Sequence, residues 1–454
     1  MLTSRKGGND AMTASSMTPK PEDQRIASAA TIRPDRSRVV RVGFIPLLDI
    51  AVLVAAEEQG FAAREGLSLQ LIKDVSWANI RDRLAFHQFD VAHMLAPMTV
   101  ASCLGLGSNP SPTFAPFVLG RGGNAITLSV ALYRDMQALA GLIGNEDALT
   151  NARALAQVVA ARRKAGQRPL VFAMTYPFSS HNYEFRYFMA AAGIDPDRDV
   201  TMTVVPPPLT ADAMAAGAID GFCVNAPWNM IAVERGVGRV VAVKADIWPA
   251  APEKVLGVRP DWAESQPETL SRLIVTLDAA AKWCDVPENR PTLAAMLAEP
   301  AYVGGSSALI GWLLTDRFLV DPDGTLRDIP NYLTFHREAA NFPWVSEALW
   351  LYSQMARWGQ APLTPQGIEH AASAYRPDLY RHALAGSSTP LPLVDRKVEG
   401  SATPIGIETT AGPMRLPAAP FLDGRTFEPD RIADYVSGFP VANPSAASGG
   451  HDPV

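Results

Sequence analysis

The chain has 454 residues, room for two or three domain-sized units, and 48% of them are apolar, so a sizeable core is expected. A formal net charge of -6 argues against the basic surface of a nucleic-acid-binding protein. No stretch approaches the ~18 consecutive apolar residues of a membrane-spanning helix, and three widely spaced cysteines, Cys103, Cys223 and Cys284, without a CxxC, disfavour a disulfide framework or a zinc site.

Residues 1–37 are dominated by Ser, Thr, Pro and charge and are expected to be disordered. Their longest apolar stretch, 26–32, is interrupted by Ser28 and Thr31 and closed by Arg33 and Pro34, too short for a signal peptide. A cytoplasmic location is therefore expected. A β-branched run from Val39 ends at Pro46 as a first strand, and Asp49 stands where an N-cap would, ahead of a helix over 50–59 that Gly60 stops. A strand over 67–72, a helix over 77–87 capped by Ser76, and a strand over 89–95 follow. This alternation implies parallel sheets with helices on both faces.

Gly120-Arg121-Gly122-Gly123 lacks the spacing of a dinucleotide loop and runs into a strand rather than a helix, so it is read as a crossover between lobes. Residues 138–165 are alanine-rich and read as largely helical, ending in Arg162-Arg163-Lys164, cations suited to a helix C-terminus. Residues 169–174 return to strand, 265–297 read as helix broken near Pro287, and 341–358 as another helix. After Gly386 the composition turns to Pro, Gly, Ser, Thr and Ala, which predicts an extended tail wrapping the body, with a last ordered piece near 421–435 and a frayed end. The segment from Asp90 through a strand to Ala96-Pro97 is echoed from Asp220 to Ala226-Pro227. Either the echo is coincidence, or each of two lobes contains the same element and both Ala-Pro corners face one cleft at the carboxyl ends of the strands.

No catalytic constellation stands out: there is no GxSxG, HExxH, P-loop or EF-hand loop, and the histidines show no metal-ligand spacing. An enzyme is not expected, nor a cofactor or a metal. Four places read as ligand contacts instead. Trp77 follows a polar cap in the first turn of its helix, where its single indole N–H wants a partner, unless the ring only packs between helices. Thr175 to Asn182 joins a strand end to a helix start carrying Ser179, Ser180, His181 and Asn182, which is either an anion cradle or a set of ordinary caps. Pro227-Trp228-Asn229 is a cleft wall or a core tryptophan. Lys254, in Pro252-Glu253-Lys254, reads by default as a surface loop lysine.

Taken together, Gly43-Phe44-Ile45-Pro46 with Asp49, Val75-Ser76-Trp77 with Arg81-Asp82, His93 to Met98, Ala190 to Pro196, Pro227-Trp228-Asn229, Pro252-Glu253-Lys254 and Phe421 to Phe427 resemble the nitrate/bicarbonate-binding (NrtA/CmpA) family of ABC-transporter solute-binding proteins, in the family's order from about Arg41 to Val441. The resemblance implies an α/β, periplasmic-binding-protein-like type 2 fold: two α/β lobes around a cleft and an extended C-terminal tail. It places lobe 1 at 38–122 and 248–385, lobe 2 at 123–247 and the tail at 386–454. It also implies nitrate contacts at Trp77, Asn124, His181 and Lys254, with Pro97, Ser180, Asn182, Pro227 and Trp228 as cleft wall. Asn124 stands where the family carries glutamine. An acid replaces the lysine and helps recruit calcium in the bicarbonate branch, so Lys254 favours nitrate or nitrite and no metal.

Family members normally carry a secretion signal and a lipid-attachment cysteine. The departure here is similar to the family's cytoplasmic branch, the nitrate/nitrite sensors of the NasS type. That branch implies a NasT-like RNA-binding antiterminator as partner, released when the anion closes the lobes about Gly120 to Asn124, with neither nucleic-acid contact nor membrane insertion by the chain itself. The alternative is the nitrate- or bicarbonate-binding component of an ABC importer.

Overall fold

The computed structural model describes residues 38–107 and 111–443. The disorder expected over 1–37 and the frayed end at 444–454 lie outside the described residues. Its strands are β1 (Arg38–Phe44), β2 (Leu67–Lys73), β3 (Val91–Leu95), β4 (Val118–Gly122), β5 (Asn124–Ser129), β6 (Val171–Met174), β7 (Thr201–Val204), β8 (Gly221–Asn225), β9 (Gly238–Val243), β10 (Pro252–Val258), β11 (Arg317–Leu319), β12 (Leu326–Asp328), β13 (Leu333–Thr334), β14 (Ile405–Thr409) and β15 (Gly412–Leu416). Two sheets organise the body, in the orders β13-β4-β10-β3-β1-β2 and β7-β6-β8-β5-β9.

The sheets are mixed rather than parallel. β2, β1 and β3 run parallel, as do β7, β6 and β8, each joined through helices. β10 lies antiparallel between β3 and β4, and β5 antiparallel between β8 and β9. The reason is connectivity. β5 and β10 enter their sheets from the other sheet, so no helical crossover within one sheet forces them parallel. The first crossing is at Gly123, between the last residue of β4 and the first of β5. Gly122 and Gly123 both hold φ of 86°, and a Cβ on either would run into Tyr332 O or the Asn225 amide, so glycine suits both positions sterically.

The sequence echo has a structural counterpart. β3 and β8 each lie between a parallel neighbour and an antiparallel crossing strand. The Asp90 carboxylate accepts the Arg41 backbone N–H on β1 at 2.8 Å, and that of Asp220 accepts Val171 N–H on β6 at 2.8 Å. Each aspartate therefore ties its strand to the adjacent parallel one.

Local chemistry accounts for most helix boundaries. Ser76 Oγ accepts Asn79 N–H and caps the helix Trp77–Ala85. Pro287 opens a short 3-10 turn that divides Pro267–Asp285 from Arg290–Leu297. The helix expected over 138–165 is two, Val130–Ala140 and Ala148–Lys164: Gly141, with φ of 71°, ends the first and Asp147 caps the second through Thr150 N–H. The N-cap expected at Asp49 is also corrected: Asp49 lies inside the 3-10 turn Leu48–Ile50 and is buried. Its carboxylate is spent on tertiary partners described below.

The tail forms the hairpin β14–β15 and the helix Ile432–Ser437. Phe421 stacks on Trp350 at 5.5 Å and 16°, and packs on Trp248 at 5.2 Å and Tyr187 at 5.9 Å. Tyr187, from the helix Ser180–Ala191, donates its hydroxyl to Asp423 at 2.7 Å. The tail thus grips the second-sheet side through side chains with large buried areas.

Candidate functional site

The parallel strands of both sheets point their carboxyl ends at one region. β3 ends at Leu95 opposite Lys254 of β10, and β8 ends at Asn225 opposite Asn124 of β5. Lys254 is therefore not a surface loop residue: it lies in a central strand and is fully buried. Its Nζ donates to Glu253 Oε1 at 2.5 Å and Asp49 Oδ2 at 2.8 Å, and lies 5.3 Å from the centre of the Trp77 ring. His93, with its ring 5.5 Å from Trp77, donates from Nε2 to Asp49 Oδ1 at 2.8 Å, the tautomer set by an acceptor-only carboxylate.

Glu253 joins this half to the other. Its Oε2 accepts from Ser180 Oγ at 2.6 Å, from Asn124 Nδ2 at 2.6 Å and from Lys244 Nζ. Its Oε1 lies 3.4 Å from His181 Nε2. Lys244 also pairs with Glu184 at 2.8 Å, and Asn124 Nδ2 reaches Glu184 Oε2 at 2.9 Å while its Oδ1 accepts from Asn225. Thr175 Oγ1 shares a hydrogen bond with His181 Nδ1 at 3.0 Å. The four expected ligand contacts, Trp77, Asn124, His181 and Lys254, are thus brought into one buried network with Glu253 at its middle.

Three ring nitrogens in this network are unspent: Trp77 Nε1, a donor, and His93 Nδ1 and His181 Nε2, whose roles follow the imidazole tautomer, are buried and have no hydrogen-bond partner. An unpaired buried donor costs about 1–3 kcal/mol, so a group with acceptor oxygens would find favourable contacts here. Burial pushes the His181 imidazole down to about 3, more than the nearby Glu253 raises it. Burial opposes ionisation of Glu253 as well, yet Lys244 and Lys254 hold it well below the usual carboxylate range. Asp49 is likewise held low by Lys254 and His93 against its burial. Glu184 is raised, because burial outweighs Lys244.

The wall residues divide. Ser180 joins the network through Glu253, and Trp228 spans the two sheets by donating Nε1 to Pro46 O at 3.2 Å. Asn182 turns away, its amide donating to Pro177 O and accepting from Arg186. Pro97 and Pro227 stand at the starts of the helices after β3 and β8, buried, with no polar side-chain group to offer.

Three acceptor-only side chains, Asp49, Glu184 and Glu253, take part in the network as well. Sequence reasoning missed Lys244 and the role of His93. Lys244 carried a signal, a lone cation immediately after the wholly apolar, buried end of β9. Glu184 carried none, since its surroundings read as an ordinary helix face. Among the described residues no group of three or more His, Cys, Asp or Glu could hold a metal ion, and no helix is long and apolar enough to cross a membrane.

Residues 33–298 match the NMT1-like family. The nitrate/nitrite binding protein NrtA of Synechococcus elongatus PCC 7942 is 30% identical over 436 residues, covering 94% of this chain and 90% of that protein. The nitrate import ATP-binding protein NrtC of Synechocystis sp. PCC 6803 is 36% identical over 347 residues, covering 75% of this chain, which spans only 49% of that relative's length. The crystal structure of the periplasmic nitrate-binding protein NrtA from Synechocystis PCC 6803 superposes with a TM-score of 0.77 at 25% identity, covering 89% of this chain and 98% of that one. The periplasmic-binding-protein-like α/β fold expected from the sequence is the fold of that structure.

Proposed function

The chain belongs to the NMT1-like family, together with NrtA-type solute-binding proteins, and on that premise we propose that it binds nitrate or nitrite between its two sheets as the solute-binding component of an ABC importer. The observation that carries this reading is the unspent Trp77 Nε1 donor and the unpartnered His181 Nε2, a donor when it carries a proton, in one buried network with the Lys254 ammonium. Nitrate is flat, singly charged and carries only acceptor oxygens. Donors from opposite halves of a hinged molecule suit it, because an anion that touches both halves stabilises the closed form. Charge-assisted hydrogen bonds contribute roughly 1.5–3 kcal/mol each. Three of them could sustain micromolar affinity, about 8 kcal/mol, after desolvation losses.

The sequence puts a cytoplasmic sensor first and an importer component second. The relatives favour the reverse order, being named for nitrate binding and nitrate import. Cytoplasmic location and a NasT-like antiterminator partner stay attached to the sensor reading, and the lobe boundaries at 122/123 and 247/248 belong to this proposal. No catalytic role is proposed.

Calorimetry with sodium nitrate, sodium nitrite and sodium bicarbonate, each with and without calcium, tests the reading. The expected outcome is binding of nitrate or nitrite without calcium dependence. Binding of bicarbonate alone, dependent on calcium, would count against it. A NasT-like protein retained on the immobilised chain and released by nitrate would restore the sensor reading.

A further inference from the structure

The site holds more acids than lysines. Lys244 and Lys254 are its cations, and Glu253, Glu184 and Asp49 are its acids, each at most 4% exposed. Both lysines are engaged with these acids: Lys244 with Glu184 and Glu253, Lys254 with Glu253 and Asp49. An anion arriving beside Lys254 adds a further negative charge where water does not reach, and an unbalanced buried charge is strongly unfavourable. Resting on the nitrate or nitrite reading above, we propose that the anion is taken up together with one proton, which lodges on His181 Nε2.

Position singles out this nitrogen. His181 Nε2 is fully buried, has no hydrogen-bond partner, and lies 3.4 Å from the same Glu253 oxygen that Lys254 engages at 2.5 Å. A proton there turns the imidazole into a cation paired with Glu253. Glu253 then releases its share of Lys254, and the ammonium turns to the anion. The charged groups facing His181 are Glu253 and Lys254 from β10, Lys244 from the turn after β9 and Asp49 from the turn after β1; Glu184 follows one helical turn further along the same helix. Burial holds the imidazole near 3, so at neutral pH the proton comes with the anion rather than ahead of it. His93 also has an unpartnered ring nitrogen, Nδ1, but its carboxylate partner Asp49 faces Nε2, whereas His181 Nε2 itself faces the Glu253 carboxylate. The mass balance is simple: protein, one anion and one proton from solvent combine, and no covalent bond other than N–H is made.

Calorimetric titration of the whole chain with sodium nitrate and sodium nitrite, in buffers of differing ionisation enthalpy, reads the proton directly. The expected result is uptake of about one proton per anion, with Kd weakening about tenfold per pH unit between about pH 6 and pH 8. In His181→Gln, which keeps an amide donor but cannot take a proton, binding should be weaker at the lower pH and independent of pH. Nitrate binding by the unaltered chain without proton uptake and with one Kd across that range overturns this inference and leaves the parent reading standing. Persistence of the pH slope in His181→Gln overturns the assignment to His181. No binding of either anion at any pH overturns both readings. If His181→Gln does not fold, the buffer series on the unaltered chain decides.

Discussion

In the nitrate site proposed above, Trp77 offers a directed neutral donor and Lys254 a charge. The indole of Trp77 is buried, with Nε1 unpartnered, so Trp77→Phe removes one hydrogen bond and little volume. A hydrogen bond to a charged group contributes about 1.5–3 kcal/mol, so nitrate Kd should weaken roughly ten- to 150-fold by calorimetry. Lys254→Ala is a larger perturbation. It should weaken nitrate binding about tenfold or more. It also strips Glu253 and Asp49 of a shared cation, and breaking a buried pair costs about 3–5 kcal/mol, measurable by urea unfolding. An unchanged affinity in a folded Lys254→Ala protein would refute its role as an anion contact. Trp77 and Lys254 were legible as candidates, one from its place after a helix cap and the other through family resemblance. The carboxylates around them were not, because a sequence does not report which charges share a buried volume.

At the scale of elements, the tail is where local sequence and tertiary packing meet. Its composition announces an extended segment, and the aromatic residues within it, Phe421, Phe427 and Tyr435, announce that it must bury something. What it buries against is a cluster drawn from three distant stretches: Trp248 near the return crossing, Trp350 in the helix Val345–Arg357, and Tyr187 in the helix Ser180–Ala191. Phe421→Ala should cost about 3–5 kcal/mol of stability, the usual penalty for emptying an aromatic site in a core. Limited proteolysis should then find the tail first. A loss under about 1 kcal/mol would mean that the cluster closes up without Phe421. The helices were legible where a cap or a proline marks an end, as at Ser76 and Pro287. They were not where the boundary is a single glycine inside an alanine-rich stretch, as at Gly141.

For the whole molecule, hydrogen bonds tie the two sheets together. Leu48 N–H donates to Ala226 O at 3.0 Å, Trp228 Nε1 to Pro46 O at 3.2 Å, and Arg81 to the Tyr176 hydroxyl at 2.8 Å. The tail adds a second buried ion network beside the first crossing. Lys397 pairs with Glu399 at 2.5 Å and Glu347 at 3.4 Å, and Arg121 of β4 lies 3.9 Å from Glu347. Burial, partly offset by Lys397, pushes Glu347 up to about 7 from an ordinary value of 4.5. The folded chain therefore binds this proton more tightly than the unfolded chain, and stability falls as pH rises from about 4.5 to about 7. Glu347→Gln should remove that slope, gaining stability relative to the unaltered chain at about pH 8 compared with about pH 5, as read by thermal melts. Parallel curves for both proteins would show that Glu347 does not titrate in this window.

The amino-acid order by itself determined the α/β class, most strands, the capped helices and the paired Asp-to-Pro segments, because these follow from periodicity and from chemistry within a few residues. Only the tertiary structure decided that β5 and β10 run antiparallel to their neighbours, since that depends on which sheet the chain has come from. It alone decided that Glu253 stands between Lys254 and His181, because charges separated by many residues interact only once folding has removed the water between them.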